Sequence, residues 1–153
     1  MAEIIMYTDG ASTGNPGPGG YGVVLLCGQF RKELNGGFRL TTNNRMELLA
    51  VIVGLESLKQ EGNTVIIYSD SKYVVDSIEK KWVDGWAKKA FKDKKNPDLW
   101  MRYLTVARKQ KIKMVWIKGH ANIKENERCD ELATSAAAQR NLLIDEYYEK
   151  IEA

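Results

Sequence analysis

Residues 7–22 read "YTDGASTGNPGPGGYG" and connect two apolar segments that are rich in β-forming residues. The segment before them, "EIIMYTD" at residues 3–9, ends at Asp9, and "YGVVLLCG" at residues 21–28 follows the glycines. Six of the sixteen positions are glycine, which permits a tight connection whose backbone approaches its neighbours closely. The stretch therefore predicts two strands joined by a hairpin, with an acidic side chain near the end of the first strand.

A glycine-rich loop of this kind also raises the question of phosphate binding. The loop contains no GxxxxGK[ST] motif, so it does not match a P-loop. It contains no GxGxxG leading into a helix either, because a strand-like segment follows it. The sequence therefore disfavours a nucleotide cradle and directs attention to the aspartate.

The chain after the hairpin first continues as sheet and then changes its period. Residues 30–40, "FRKELNGGFRL", predict a third strand of an antiparallel meander, in which Gly36 and Gly37 predict a bulge. From Asn43 to about Gln60 the apolar spacing is that of a helix. The residues with this spacing are Met46, Leu49, Ala50 and Val53.

The second half of the chain alternates between strand and helix patterns. The predicted elements are a strand at residues 64–70, a helix at 72–80, a helix from Pro97 to about residue 110, a strand at 111–119 and a helix at 125–140. A run of three strands followed by alternating strands and helices implies a mixed α/β fold, with a five-stranded mixed sheet flanked by helices. No internal repeat or linker is visible, so we expect one domain over residues 1–153.

Two predicted strands end in the same way. "MYTDG" at residues 6–10 ends the first strand, and "IYSDS" at residues 67–71 ends the fourth. If these strands are parallel neighbours, Asp9 and Asp70 face each other at one edge of the sheet. Two close carboxylates repel unless one is protonated or a cation lies between them, and an oxygen-only site suits Mg²⁺ or Mn²⁺.

Each acidic residue also has an ordinary structural explanation. Asp9 and Asp70 are common residue types at turns. Glu47, three residues after Asn44, resembles the glutamate of a capping box. Asp130 lies in the first turns of a predicted helix, where the helix dipole favours negative charge. Taken alone, each of these acids is more often structural than catalytic.

His120 is the only histidine of the chain and lies in the loop-like stretch "KGHANIKENERCDELA". No apolar stripe surrounds it, and it precedes Asp130 by ten residues, so it could transfer protons near neutral pH. A Ser–His–Asp hydrolase that uses Ser69 or Ser71 remains formally possible. No nucleophile-elbow motif supports that alternative.

Basic charge is concentrated in one segment, which we call the basic handle (residues 80–96). Residues 80–95, "KKWVDGWAKKAFKDKK", hold seven lysines and two aspartates, whereas the whole chain carries a net charge of only +3. Trp82, Trp86 and Phe91 lie among the lysines. Lysines neutralise phosphates and aromatic faces pack on sugars or bases, which favours nucleic-acid binding over a merely solvated helix with aromatics in the core.

The composition is that of an ordinary globular protein. The chain has 153 residues, of which 44% are hydrophobic and 28% charged, and no apolar run approaches the roughly 20 residues that span a bilayer. The N-terminal stretch lacks the features of a signal peptide, so we expect a cytoplasmic protein with no membrane partner. Cys27 and Cys129 are too few and too far apart for a disulfide framework or a zinc cluster and are expected to be reduced thiols.

Taken together, these stretches resemble bacterial-type ribonuclease HI over nearly the whole chain. The motifs that carry the resemblance are "YTDGASTGNPGPGGYG", "TTNNRMELLA", "YSDSKYV", "DLWMRYL", "WIKGHA" and "NERCDELA", in this order. The resemblance implies the RNase H-like fold, a five-stranded mixed sheet of order βββαβαβα. It also implies an endoribonuclease that degrades the RNA strand of RNA–DNA hybrids and leaves 5′-phosphate and 3′-hydroxyl ends.

The resemblance further implies the catalytic residues. Asp9, Glu47, Asp70 and Asp130 match the family's four metal-binding carboxylates, and His120 matches its loop histidine, which assists proton transfer or product release. The implied cofactor is Mg²⁺, two ions per site with substrate, with Mn²⁺ as a possible substitute. In-line phosphoryl transfer needs clustered negative charge that holds cations. It does not need a nucleophile from the protein.

The residues expected to contact the RNA strand also follow from the resemblance. Asn15, Asn43 and Asn44 match residues that contact the minor groove, where 2′-hydroxyls distinguish RNA from DNA. Ser12 and Lys72 occupy contact positions at which better-known members often carry cysteine and glutamine. Lys72 could instead contact a phosphate.

On the DNA side, Thr42 and Asn96 match a pocket that grips a DNA-strand phosphate. The contact residues implied in the basic handle are Trp82, Trp86, Lys88 and Lys89. The handle is a few residues shorter than in better-known members, and Phe91 stands where a third tryptophan is common. These differences are expected to affect affinity but not the reaction.

Two other functions remain open at this point. One is a catalytically silent module that binds hybrids, and the other is a different metal nuclease of the same fold, such as a resolvase or integrase core. The complete set of four acids disfavours the first, and the handle with its asparagine pair disfavours the second. A monomer is the expected oligomeric state.

Overall fold

A computed structural model describes residues 2–153 of the chain. The strands are β1 (Glu3–Ser12), β2 (Gly17–Cys27), β3 (Phe30–Thr41), β4 (Thr64–Ser69) and β5 (Lys111–Trp116). The helices are α1 (Asn43–Glu56), α2 (Lys72–Glu79), α3 (Trp82–Lys88), α4 (Pro97–Ala107) and α5 (Lys124–Ala137), followed by a π-helical turn at Tyr148–Glu152. The predicted order of strands and helices is confirmed, and the basic handle is helical in part, at α3.

The five strands form one mixed sheet of order β3-β2-β1-β4-β5. Strands β1, β2 and β3 are antiparallel neighbours, whereas β4 pairs in parallel with both β1 and β5. Tyr7 lies opposite Tyr68 in the β1–β4 pairing, and the two rings stack with centroids 4.9 Å apart. Asp9 and Asp70 each follow two residues later, so the two acids leave adjacent parallel strands at the same edge of the sheet.

Helices cover both faces of this sheet because the strand residues alternate between two apolar clusters. The larger cluster includes Met6 and Val23 and lies under α1 and α4, while the smaller one joins Val24 to Cys129 and Leu132 of α5. Both cysteines of the chain are free, as expected. Across residues 2–153, the helices are all too short or too polar to traverse a lipid bilayer.

Two local predictions were wrong. Gly36 and Gly37 do not form a bulge, because they pair regularly with Tyr21 and Gly20, and the register shift of this strand pair lies instead between Gly17 and Gly19. Gly37 instead allows α5 to pack closely against β3, because a Cβ at this position would lie 2.4 Å from a backbone oxygen of α5.

The second wrong prediction concerns the start of α1. Its N-cap is Thr42, whose hydroxyl accepts a hydrogen bond from the Arg45 N–H at 3.2 Å, and not Asn44. Thr42 takes the cap because its backbone is extended, whereas Asn44 is already inside the helix. Glu47 is therefore free of the capping role, and its carboxylate is available to a site.

The close approach of α5 to β2 leads to a first testable prediction. A Cβ at Gly22 would lie 2.3 Å from the backbone oxygen of Cys129, so Gly22→Ala must push the helix off the sheet. We expect a loss of about 1–3 kcal/mol in the free energy of unfolding, measured by urea denaturation. Gly85→Ala is the matched control, since nothing lies within 4 Å of that position in α3. Equal stability of the two variants would contradict this packing.

Candidate functional site

Three carboxylates from three separate elements converge at the edge of the sheet. Asp9 comes from β1, Glu47 from α1 and Asp70 from the residue that follows β4. One ligand oxygen of each lies within 4.8 Å of those of the other two. Asp9 and Glu47 are buried and Asp70 is half-buried. Their grouping confirms that the parallel β1–β4 pairing brings the two aspartates together.

The electrostatics of this group are unfavourable when no cation is bound. Burial raises the pKa of Asp9 to about 8, and the nearby carboxylates of Asp70 and Asp130 add to the effect. Burial also raises the pKa of Glu47 well above its ordinary value, with repulsion from Asp9 and Asp70 as the next causes. Such mutual repulsion is what a bound cation removes.

Hydrogen bonding supports the same conclusion. Asp9 Oδ1 accepts a hydrogen bond from the Gly10 N–H at 3.0 Å, which fixes the direction of that carboxylate. Glu47 Oε1 is buried and has no hydrogen-bond partner within residues 2–153. A buried oxygen without a donor, next to two other carboxylates, fits a hard divalent cation.

The glycine after Asp9 allows this geometry. A Cβ at Gly10 would lie 2.3 Å from the backbone nitrogen of Glu47, so only glycine lets α1 approach β1 closely enough for the two acids to meet. A Cβ at Gly119 would lie 3.0 Å from Asp70 Oδ2, so this glycine leaves room beside the third acid. These glycines serve the carboxylates and not a phosphate cradle.

The repulsion among these carboxylates leads to a second prediction, made for the protein in EDTA. Because the pKa of Asp9 is raised from 3.8 to about 8, ionising this group costs stability progressively as the pH rises through that window. Asp9→Asn removes the charge and keeps an acceptor for Gly10. We expect this variant to be more stable than the unmodified protein by about 1–3 kcal/mol at pH 8, with the difference vanishing near pH 4.

The measurement for this second prediction is chemical denaturation at several pH values with and without Mg²⁺. Mg²⁺ should stabilise the unmodified protein more than the variant, since only the former keeps the full ligand set. A difference in stability that does not depend on pH would contradict the account.

The acids open into a cleft of about 550 Å³ that also receives the other two predicted catalytic residues. Asp130 of α5 and His120 line it, although Asp130 lies outside the compact group of three. His120 is exposed on its loop, with a left-handed backbone at φ 57°. The cleft lining comprises Asp9, Gly10, Ala11, Ser12, Asn43, Glu47, Asp70, His120, Asn126, Glu127, Asp130 and Glu131.

Sequence reasoning missed three polar residues of this lining, Asn126, Glu127 and Glu131. All three lie on α5. Asn126 and Glu127 precede Asp130 by four and three residues, a helical spacing that could have identified them, whereas Glu131 directly follows Asp130. Asn126 is buried, and its side-chain oxygen has no partner within the described part of the chain. The cleft is thus more acidic than the four predicted carboxylates suggest.

The structure does not support the Ser–His–Asp alternative. Ser69 is buried, and its hydroxyl accepts a hydrogen bond from the Ser71 N–H at 3.1 Å. The Ser71 hydroxyl caps α2 by accepting from the Val74 N–H at 3.2 Å. Both serines therefore have local structural roles.

The hairpin loop reaches the start of α1 next to the acidic cleft. Ser12 and Asn43 line that cleft directly. Asn15 lies farther along the loop, and its side-chain oxygen accepts a hydrogen bond from the Asn43 N–H at 3.0 Å. Three of the predicted RNA-contact residues are thus grouped beside the carboxylates.

Lys72 lies against an aromatic residue that sequence reasoning did not single out. Its ammonium nitrogen is 4.8 Å from the ring centroid of Trp116, a partly exposed side chain at the end of β5. Trp116 in turn donates a hydrogen bond from Nε1 to the backbone oxygen of Asp70 at 3.1 Å. Lys72 is therefore positioned next to the acidic group.

A second pocket of about 440 Å³, which we call the Asn96 pocket, lies beside the cleft. Its lining residues are Asn15, Pro16, Thr42, Asn44, Tyr73, Lys95, Asn96, Tyr148 and Glu152. Asn96 is buried and donates from Nδ2 to the Tyr73 hydroxyl at 3.1 Å, while its Oδ1 accepts from Arg45 at 3.2 Å. Thr42 and Asn96, predicted as a pair, thus line one pocket.

Behind this pocket, Arg45 is buried to 2% exposure and anchors a charge cluster that the sequence did not predict. Its guanidinium makes two hydrogen bonds to Asp98, at 2.9 and 2.7 Å, and two to Asp145, at 2.7 and 2.9 Å. This arrangement fixes the C-terminal segment, residues 143–152, against α1 and α4.

The basic handle presents aromatic side chains and lysines together. Trp82 is 46% exposed and lies under Lys80, whereas Trp86 packs edge-on against the core at Trp100 and lies under Lys94. A groove of about 660 Å³ here is lined by Lys81, Trp82, Gly85, Trp86, Lys89, Lys92, Asp93 and Lys94. Lys88 is exposed at the end of α3. Phe91, by contrast, is buried in the core.

Comparison with known proteins gives consistent results. A family profile described as RNase H matches residues 1–138. The chain is 55% identical to the ribonuclease H of Syntrophus aciditrophicus, over 95% of this chain and 87% of the relative. It is 57% identical to the ribonuclease H of Desulforamulus reducens, over 95% of this chain and 94% of the relative.

Solved structures agree with the sequence relatives. LC9-RNase H1, described as a type 1 RNase H with the type 2 active-site motif, superposes with a TM-score of 0.83 at 28% identity and covers 100% of this chain and 82% of that one. LC11-RNase H1, solved in complex with an RNA/DNA hybrid, superposes with a TM-score of 0.67 at 27% identity and covers 88% of this chain and 96% of that one.

Proposed function

The chain belongs to the ribonuclease H family, and we propose from this premise how its residues cleave the RNA strand of RNA–DNA hybrids. The observation that carries the proposal is the convergence of Asp9, Glu47 and Asp70 in an open cleft, with an unpartnered oxygen on Glu47. Asp130 completes the ligand set from α5. The family match and the intact acidic cluster together argue against a catalytically silent binding module.

The cation proposed for this site is Mg²⁺, with two ions per site when substrate is bound and Mn²⁺ as a possible substitute. Bound ions of this kind supply activation of a water molecule and stabilisation of the leaving 3′ oxygen, and products would carry 5′-phosphate and 3′-hydroxyl ends. The residues of the chain contribute the fixed geometry: Asp9 is oriented by the Gly10 N–H, and Glu47 is free of capping. The repulsion among the acids makes the site selective for cations over neutral ligands.

His120, at the mouth of the cleft, assists proton transfer or product release. Its exposed loop position leaves the imidazole free to reach bulk water and the reacting phosphate alike. This role needs no fixed hydrogen bond in the free protein, because catalytic contacts often form only with substrate.

Substrate recognition is divided between the two strands of the hybrid. Ser12, Asn15 and Asn43, next to the acids, offer hydroxyl and amide groups to the minor groove, where the 2′-hydroxyls lie. Exposed Asn44 and Lys72 extend this surface. For the DNA strand, the Asn96 pocket takes one phosphate, and Trp82, Trp86, Lys88 and Lys89 of the handle contact the backbone beyond it.

Three further proposals complete this assignment. The chain forms one domain over residues 1–153, it acts as a monomer, and it works in the cytoplasm. A monomer suffices because all the proposed ligands and contact residues of the site come from one chain.

The experiment that tests the function compares three labelled substrates of one sequence: an RNA–DNA hybrid, duplex RNA and duplex DNA. We expect Mg²⁺-dependent fragments from the RNA strand of the hybrid alone, and none in EDTA. Binding of the hybrid without cleavage would favour a silent module, and preferred cutting of DNA would favour another nuclease of the same fold. Treatment of the fragments with a 5′-phosphate-dependent exonuclease identifies their ends.

A further inference from the structure

The C-terminal segment delivers one of its carboxylates into the Asn96 pocket. Leu143 forms a bridge to Phe38 at the edge of β3, and Asp145 accepts a hydrogen bond from the Thr41 hydroxyl at 2.7 Å. Glu149 makes two hydrogen bonds to Arg39, at 2.9 and 2.8 Å. These anchors fix the direction of the π-helical turn that ends at Glu152.

Glu152 points towards the donors of the pocket. Its Oε2 accepts a hydrogen bond from the backbone N–H of Asn96 at 3.3 Å, and its Oε1 lies 4.0 Å from Arg45 Nη1. The side chain is only 15% exposed. Glu152 is also the only acidic residue among those that line this pocket in the described chain.

The other lining groups are suited to an anion. The side chains of Thr42, Asn44 and Asn96 offer hydroxyl and amide donors, and Lys95 offers a charge. A carboxylate and a phosphate use the same donors, but they repel each other and cannot share them. The Glu152 contacts are long compared with the 2.7 Å hydrogen bonds of Asp145, so the Glu152 side chain is the part of the segment that can move away.

We propose that Glu152 is an internal mimic of the DNA-strand phosphate: its carboxylate occupies the Asn96 pocket in the free protein and is displaced when a hybrid binds. This inference rests on the proposed function, because it requires the pocket to take a DNA phosphate. Glu152 thereby sets the affinity for the hybrid, since each binding event must release this contact. It also keeps the pocket closed to free anions.

The test uses Glu152→Gln, which keeps the size of the side chain and removes its charge. Glu146→Gln is the matched control, because Glu146 lies in the same segment, pairs within residues 2–153 with exposed Lys150 alone and does not line the pocket. Binding of a fluorescent hybrid is measured by anisotropy in EDTA, which prevents cleavage. The hybrid series replaces one DNA-strand phosphate at a time with an uncharged methylphosphonate.

We expect Glu152→Gln to bind the unmodified hybrid roughly three- to tenfold more tightly than Glu146→Gln does, the effect of one partly buried charge contact. This gain should disappear at one of the positions where a methylphosphonate also weakens binding by the unmodified protein, and it should persist at the positions that the handle contacts. A gain that persists at every position, an affinity equal to that of Glu146→Gln, or weaker binding would each overturn the proposal.

The same series separates this inference from the function on which it rests. If no methylphosphonate position weakens binding by the unmodified protein, the pocket does not take a DNA phosphate and that part of the proposed function fails. If one position weakens binding and Glu152→Gln brings no gain, only the displacement of Glu152 fails. The backbone amide resonance of Asn96 provides a second readout, because it should shift in Glu152→Gln and not in Glu146→Gln.

Discussion

Asp70→Asn is expected to abolish Mg²⁺-dependent cleavage of an RNA–DNA hybrid while binding of the hybrid largely survives. Asp70 is one of the three carboxylates whose oxygens lie within 4.8 Å of one another, and it is the most exposed of them. Asparagine keeps the shape but removes the negative charge that a divalent ion requires. A loss of several kcal/mol of transition-state stabilisation corresponds to a fall of roughly 10³-fold or more in kcat.

The measurement is single-turnover cleavage of a labelled hybrid, together with the dissociation constant in EDTA. Asp76→Asn is the matched control, since it makes the same chemical change on α2 outside the cleft, where Asp76 Oδ2 lies 3.8 Å from Lys80 Nζ. The control should cleave like the unmodified protein. Equal activity of Asp70→Asn would remove this residue from the metal site.

The second large effect is expected from Arg45→Ala, and it concerns stability. This change leaves the carboxylates of Asp145 and Asp98 without the guanidinium that makes four hydrogen bonds to them. Removing one partner of a buried ion pair typically costs about 3–5 kcal/mol, because the remaining charge is buried without compensation. We expect a fall of that size in the free energy of unfolding, measured by urea denaturation.

Arg102→Ala provides the comparison for this prediction. Arg102 also makes two hydrogen bonds to one carboxylate, that of Glu56, but its side chain is 47% exposed. Exposed ion pairs contribute little to stability, so we expect Arg102→Ala to lower the free energy of unfolding by less than about 1 kcal/mol. If Arg45→Ala cost no more than Arg102→Ala, the buried cluster would not be what fixes the C-terminal segment.

The sequence predicts much of the fold because its signals are local. Strand and helix periods identify the element order, and the shared endings of "MYTDG" and "IYSDS" place Asp9 and Asp70 at equivalent positions. No local pattern predicts that β1 pairs with β4, although the contact between Asp9 and Asp70 depends on that pairing. The resemblance to a family supplied Glu47 and Asp130, whose own patterns also fit a capping residue and a helix dipole.

The parts that the sequence did not predict depend on distant contacts. Arg45 and Asp145 are 100 residues apart, and an arginine in the first turn of a helix does not by itself indicate its partner. Thr42 outcompetes Asn44 as the cap because the end of β3 sets its backbone, which is a tertiary effect. Glu152 falls in a weakly patterned acidic tail, and only the docked segment brings it to Asn96.

Anomalous diffraction from crystals of the protein grown with a hybrid and Mn²⁺ shows whether the three carboxylates bind the metal. We expect anomalous peaks at coordination distance from the carboxylate oxygens of Asp9, Glu47 and Asp70, and their loss in Asp70→Asn crystals. Absence of any peak between these carboxylates, for protein that cleaves the hybrid in solution with the same ion, would contradict this expectation.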